Sequence, residues 1–235
     1  MKCLIAGLVT ELEPKYEDTK KLAESFRCDE SLPADIALKV SDRELSGFVS
    51  RAAEGTTVGQ LENFALGNDF NRKAIGFGTM LVHSSALICD GGAFLFSGAS
   101  GVGKSFHTRL WCDAFGDAVH IMNDDKPVVK LGDDGAVVYG TPFDGGSGIA
   151  LNEAFPLRAV IFVERGEENS LRVPDNKEII QKLYFQTAHM VNEKTAEKML
   201  CNIEKLISLT KFFVMTCNTD ISAAYTAHDF LLRNA

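Results

Sequence analysis

The period of the apolar positions changes repeatedly along the chain, and the changes predict short strands alternating with helices. Leu4 to Leu12 alternates imperfectly and stops at Pro14, as a first strand would. Tyr16 to Phe26 has the spacing of a short helix, and Ala34 to Val40 reads as a second strand bounded by Ser41-Asp42. Val58 to Leu81 carries apolar residues at helical spacing but is interrupted by Gly67-Asn68-Asp69, Gly76 and Gly78. Because glycine weakens helix interiors, two consecutive helical pieces are predicted there. Strands at Ala86 to Cys89 and Ala93 to Phe96 flank Asp90-Gly91, a hairpin signal.

Lys104 to Phe115 reads as a helix stopped by Gly116-Asp117, with Leu110, Trp111, Ala114 and Phe115 facing a sheet. Val119 to Met122 is a strand that delivers Asn123-Asp124-Asp125 to its C-terminal end. Two more strands, Val128 to Leu131 and Ala136 to Tyr139, are separated by Gly132-Asp133-Asp134-Gly135, and Thr141 to Ser147 must turn or loop. Ala159 to Glu164 is a continuous apolar run. The remainder alternates as helix (Lys177 to Ala188), helix (Glu193 to Leu209), strand (Phe212 to Thr216) and helix (Ile221 to Leu232). This alternation predicts an α/β layer arrangement. Residues 1–75 are expected to form a small N-terminal lobe or an extension of the main sheet, and residues 76–235 the main domain.

Composition narrows the functional classes. The 235 residues are 46% hydrophobic and 24% charged, an ordinary soluble balance able to bury a sizeable core. A formal charge of −8 gives no general attraction to nucleic acid or to an anionic membrane, and neither is an expected partner. The six cysteines show no C-x-x-C and no metal-like spacing, which favours free thiols in a reducing cytosol. The first residues lack the cleavage pattern of a signal peptide, and no apolar run approaches the roughly 18 to 20 residues of a membrane span. A cytoplasmic location is expected.

The chemistry concentrates in one stretch. Phe94 to Phe96 leads into Gly98-Ala99-Ser100-Gly101-Val102-Gly103-Lys104-Ser105, which matches G-x-x-x-x-G-K-[ST] at every fixed position and is followed by Phe106. Such a loop turns its amide N–H groups onto a phosphate, with a lysine for the β and γ phosphates, a serine hydroxyl for Mg²⁺ and a helix N-terminus facing the anion. A second metal-organising acid is needed, and Asp124-Asp125 is the candidate pair. Neighbours on an extended segment point opposite ways, so one can serve Mg²⁺ while the other accepts a hydroxyl proton. His83 and His107 are each divided between a structural role and the site, and Arg109 between phosphate and a surface ion pair. Thr141 to Gly146 has the composition of a shaped, mobile loop, and Arg165 is either aimed at the ligand or neutralised by Glu164. His120, His189 and His228 have no ligand spacing, and Trp111 is read as core.

The segments VHSSAL at 82–87, FLFSGASGVGKS at 94–105, HTRLW at 107–111, NDD at 123–125 and GTPFDG at 140–145 together resemble the HPr kinase/phosphorylase-related group of P-loop proteins. The resemblance covers about residues 80–165. It implies a mixed β-sheet P-loop core flanked by helices, of the phosphoenolpyruvate-carboxykinase-like kind, and a kinase using ATP and Mg²⁺. It also implies that Asp124 is the general base, with His83 close to it, and that Asp125 lies on the metal side with Ser105. The bifunctional enzymes' E-V-R-G-L-G signature is missing, and TPFDGG stands in roughly that region. The implied acceptor is therefore a hydroxyl, as of serine, on a small molecule, peptide or small protein other than HPr, and homo-oligomers occur among such relatives. A nucleotide-dependent hydrolase or switch, and a non-catalytic nucleotide-binding module, are the alternatives.

Overall fold

The chain opens with a hairpin where one strand is predicted. In the computed structural model, which describes residues 1–187 and 193–235, β1 (Lys2–Ile5) and β2 (Leu8–Leu12) pair antiparallel across Ala6-Gly7, with φ of 50° and 73° at the turn. The turn escapes a hydropathy reading because Ala6 is itself buried. After α1 (Glu17–Glu24), β3 (Ile36–Leu38) lies parallel to β2 and completes a three-stranded sheet. A helix not predicted from the pattern, α2 (Asp42–Val49), starts on a capping box in which Ser41 and Glu44 satisfy each other's backbone N–H.

The next helix, α3 (Val58–Ala74), is capped in the same way by Thr57 and Gln60, and it runs unbroken through Gly67. Two pieces are predicted there, but this glycine has a packing role. A Cβ on it would lie 3.0 Å from Lys126 Cδ and 3.2 Å from Phe143 Cβ. The helix thereby approaches the main body closely, and Phe70, Phe143 and Val128 join β1–β3 in one buried cluster.

The chain continues through β4 (Thr79–Leu81), β5 (Ser84–Cys89), β6 (Gly92–Ser97), α4 (Lys104–Phe115) and β7 (Val119–Asp125). Then follow β8 (Val128–Leu131), β9 (Ala136–Tyr139), β10 (Ala154–Arg165), β11 (Ser170–Arg172), α5 (Asn176–Thr187), α6 (Glu193–Leu209), β12 (Lys211–Cys217) and α7 (Ser222–Asn234). Ala188, the expected last residue of a helix, and His189 lie outside the described residues. Nine strands form a second sheet in the order β4-β8-β9-β10-β6-β5-β7, with β12 added on β10 and β11 on β12. It is mixed: β6, β10 and β12 are mutually parallel, and β5 is antiparallel to both β6 and β7.

Strands β5 and β6 are buried along their full length, as expected of a sheet covered on both faces. Leu95, Val160, Phe162 and Val214 meet α5 and α6 on one side. Phe94, Phe96, Ile161 and Met215 meet α4 and α7 on the other, where Trp111 is core as predicted. The fold is therefore a mixed α/β layer structure. No helix among the described residues is long and apolar enough to cross a membrane.

The close approach at Gly67 predicts that Gly67→Val lowers stability by about 1–3 kcal/mol through overpacking against Phe143. Urea unfolding of wild type and variant checks this.

Candidate active site

The register of β5 decides what meets what. Ser84 stands opposite Ser97 on one side and Asp125 on the other, and Ser85 opposite Phe96 and Asp124. The end of β6, where the 98–105 loop begins, and the end of β7 thus emerge at one edge of the sheet, two strand spacings or about 10 Å apart. Strand β7 runs through Asp125. The acids are therefore part of the strand and do not follow it, as the hydropathy pattern predicts they should. Their polarity hides a pairing made by the backbone alone.

The loop itself requires glycine at Gly101 and Gly103, whose φ values are 75° and 116°. Helix α4 starts directly on Lys104. Lys104 is 7% exposed, and its ammonium donates to the carbonyls of Gly98 at 3.1 Å and Ala99 at 3.4 Å. Burial pulls its pKa down, and Asp125 and Asp124 pull the other way. Arg165 braces the loop, with Nε donating to the Val102 carbonyl at 3.1 Å and Nη2 to that of Gly101. Glu164 does not neutralise it, being paired with Lys182 at 2.6 Å.

The two acids have separate partners, with Asp125 off the extended backbone at a φ of 111°, and the partners are the reverse of those the resemblance implies. Ser105 Oγ donates to Asp124 Oδ1 at 2.8 Å, which puts Asp124, and not Asp125, beside the hydroxyl assigned to a metal. His83 Nε2 lies 3.1 Å from Asp125 Oδ1, so His83 contacts Asp125 and not Asp124. Lys126 Nζ donates to Asp125 Oδ2 at 2.7 Å. Burial alone would raise the Asp125 pKa, but the His83 hydrogen bond and the Lys126 charge hold the carboxyl well below the usual carboxylate range.

The far side of His83 is anchored by a residue that no sequence signal marked. Gln186 Oε1 lies 3.0 Å from His83 Nδ1, and the Gln186 carbonyl accepts from His83 N at 3.0 Å. Lys126 was also missed, although it directly follows the acid pair. Asn123, the third missed residue, donates to the Thr141 carbonyl at 2.9 Å and accepts from Lys126 N at 3.0 Å. Asn63 donates to the Pro142 carbonyl at 2.7 Å and accepts from Asp144 N at 3.0 Å. These bonds fasten residues 141–144 in the interior, so only Gly145 and Gly146 of the expected mobile loop are exposed.

The other candidates are dispersed. His107 is buried against Phe96, accepts the Trp111 indole N–H at 3.1 Å, and has its pKa pushed down to about 4 by burial. His120 pairs with Glu153, His228 stacks on Phe115, and Arg109 points to solvent.

Two cavities open on this cluster. One of about 760 Å³ runs along residues 101–107 to Arg165 and Asn218, at the C-terminal ends of β10 and β12, and Phe106 is half exposed in it. The other, of about 430 Å³, lies against Asp125 and Lys126 and is walled by Glu54, Gln60 and Phe64 of the N-terminal region. Ser105 and Asp124 offer hard oxygen donors of the kind that suit Mg²⁺, which takes few protein ligands and completes its shell with phosphate and water. Among the described residues no group of three or more His, Cys, Asp or Glu is arranged to hold a metal by itself.

No protein-family model matches the chain, and no curated protein matches it. A solved structure of an HPr(Ser) kinase/phosphatase from Coxiella burnetii aligns with it at a TM-score of 0.39 and 12% identity, over 65% of this chain and 97% of that one. At that level of overlap the roles of individual residues follow from their own geometry.

Because the Asp125 pKa is depressed in the folded chain, its pairing contributes stability above the unfolded carboxylate pKa, near about 3.9, and loses it as pH falls below that value. Asp125→Asn is expected to cost about 1–3 kcal/mol at neutral pH. The gap to wild type should narrow in acid, which denaturant melts between pH 7 and pH 3 will check.

Proposed function

We propose that the chain is a phosphotransferase that moves the γ-phosphoryl group of ATP to a hydroxyl acceptor. The observation that carries this reading is the separation of the two acids, Asp124 on Ser105 beside the glycine loop and Asp125 on His83 beside a different cavity. A hydrolase also needs a group to position water, but not a separate cavity of about 430 Å³ beside that group. A second, independently held carboxylate facing its own cavity supports a second substrate.

In this reading the loop amides and Lys104 neutralise the phosphates, and Ser105 and Asp124 hold Mg²⁺. When bound, Mg²⁺ supplies positive charge to the β and γ phosphate oxygens. Asp125 accepts the hydroxyl proton on a carboxylate oxygen, and His83, itself steadied by Gln186, keeps that carboxylate oriented. A carboxylate held ionised by a hydrogen bond from His83 and by the Lys126 charge is a weak base, which suits a loose transition state in which the hydroxyl proton leaves late. The roles of Asp124 and Asp125 are thereby exchanged relative to the family resemblance. Residues 76–235 bind the nucleotide, and residues 1–75 supply the acceptor wall at Glu54, Gln60 and Phe64. The acceptor is a hydroxyl-bearing small molecule, peptide or small protein.

Labelled γ-phosphate from Mg·ATP should appear on hydroxyl acceptors incubated with the wild-type chain. Lys104→Ala should abolish both ATP binding and transfer. Asp125→Asn should reduce kcat by about 10²–10⁴-fold while leaving ATP binding in place. Phosphate release at one rate with or without acceptors would convert the reading to a hydrolase, and unchanged turnover in Asp125→Asn would remove that residue as the base.

A further inference from the structure

The chain carries a formal charge of −8, yet one cleft on it is basic. Helix α2 and the outer face of α3 enclose about 310 Å³, lined by Lys39, Arg43, Arg51 and Arg72 against two carboxylates, Glu44 and Asp69. Helical spacing builds it. Arg43 and Gly47 are four residues apart on α2, as are Asn68 and Arg72 on α3, so each pair shares one face, and Arg51 follows in the turn just past the end of α2.

Both carboxylates are already committed. Asp69, 4% exposed, accepts from Arg72 Nη2, from Lys73 Nζ at 2.8 Å and from the Lys39 backbone at 3.3 Å. Glu44 Oε2 accepts from Ser41 N at 3.0 Å and Ser41 Oγ at 2.7 Å. The arginines are less occupied. Arg51 uses Nε on the Gly47 carbonyl at 2.9 Å and leaves both terminal nitrogens unbonded among the described residues. Arg43 makes no side-chain hydrogen bond or ion pair among them. With Lys39 paired to Glu13 at 3.1 Å and Arg72 to Asp69, the excess positive charge of the cleft is that of Arg43 and Arg51 over Glu44.

A second observation points the same way. Asn68 lines this cleft, is only 6% exposed, and its Nδ2 is buried without a hydrogen-bond partner. An unmatched buried amide is costly, and an acceptor oxygen delivered by a ligand would remove that cost once the side chain turned toward the cleft. Guanidinium forks on one wall and an unmatched amide donor on another are complementary to a planar or tetrahedral oxyanion.

We infer that the α2–α3 cleft is a binding site for a compact oxyanion, the phosphate or carboxylate group of a small molecule, held by Arg43 and Arg51 with Asn68 as the inner donor. It is separate from the glycine loop, and it does not depend on the phosphotransferase reading. Its position gives it a route to the acids, since Phe64, one turn or about 6 Å along α3 from Asn68, walls the cavity beside Asp125.

The test uses the 235-residue chain carrying Lys104→Ala, which removes the loop's lysine, titrated with inorganic phosphate and separately with citrate while backbone amides are followed by NMR. Saturable shifts at Gly47 and Asn68 with either probe are expected, weakening with added salt. Combining Arg43→Ala with Arg51→Ala, both exposed, should weaken binding at least about tenfold, and Asn68→Ala about threefold or more. Response to one probe alone would specify phosphate or carboxylate. The inference is overturned if the Lys104→Ala chain binds neither probe, or if the double arginine variant binds as tightly as its parent.

Discussion

The pairing of β5 with both β6 and β7 is the constraint on which the site depends. A strand can be shifted only in whole residues, and a one-residue slip sends every side chain to the opposite face. With Ser84 between Ser97 and Asp125, the loop following β6 and the acids ending β7 are delivered to one edge. Sliding β7 by one position would exchange the faces of Asp124 and Asp125 and break the Ser105 contact. Both faces of this part of the sheet are buried against helices, so such a slip would place polar groups in the core. Packing far from the acids thereby enforces their alignment.

Electrostatics then separates two residues that are chemically alike. Asp124 is 4% exposed and answers a neutral hydroxyl, whereas Asp125 lies between an imidazole and an ammonium. The Lys126 ammonium is in turn held 4.4 Å from the Phe64 ring centroid, so the N-terminal helix pair reaches into the charge balance of the acids. Asn63 on the same helix ties down the 141–144 segment. The region before residue 75 thus contributes to the walls and the tuning of the site, and Gly67 permits the approach that makes this possible.

The legible part of the fold was the part governed by local rules. Asp90-Gly91 marked its hairpin, Gly116 stopped α4, and β8 and β9 lie on either side of the Gly132–Gly135 turn, as predicted. The failures have equally local causes. Ala6 made a turn look like a strand, and the capping signature at Ser41 went unread. Gly67 looked like a helix breaker because the close contact that compensates for it lies more than fifty residues away in the sequence, at Lys126 and Phe143.

For the site, the sequence by itself determined the chemistry on offer: a glycine-rich loop, a lysine and serine at its end, and two neighbouring acids after an apolar strand. These follow from spacing and from short-range stereochemistry, which a single chain segment carries within itself. Only the tertiary structure decided which acid meets Ser105 and which meets His83, and it recruited Gln186, 103 residues from His83, to hold the imidazole. It also decided that Arg165 braces the loop and does not pair with Glu164. Partner choice of this kind depends on strand register and on helices docking across a sheet, contacts between distant segments that no local pattern encodes.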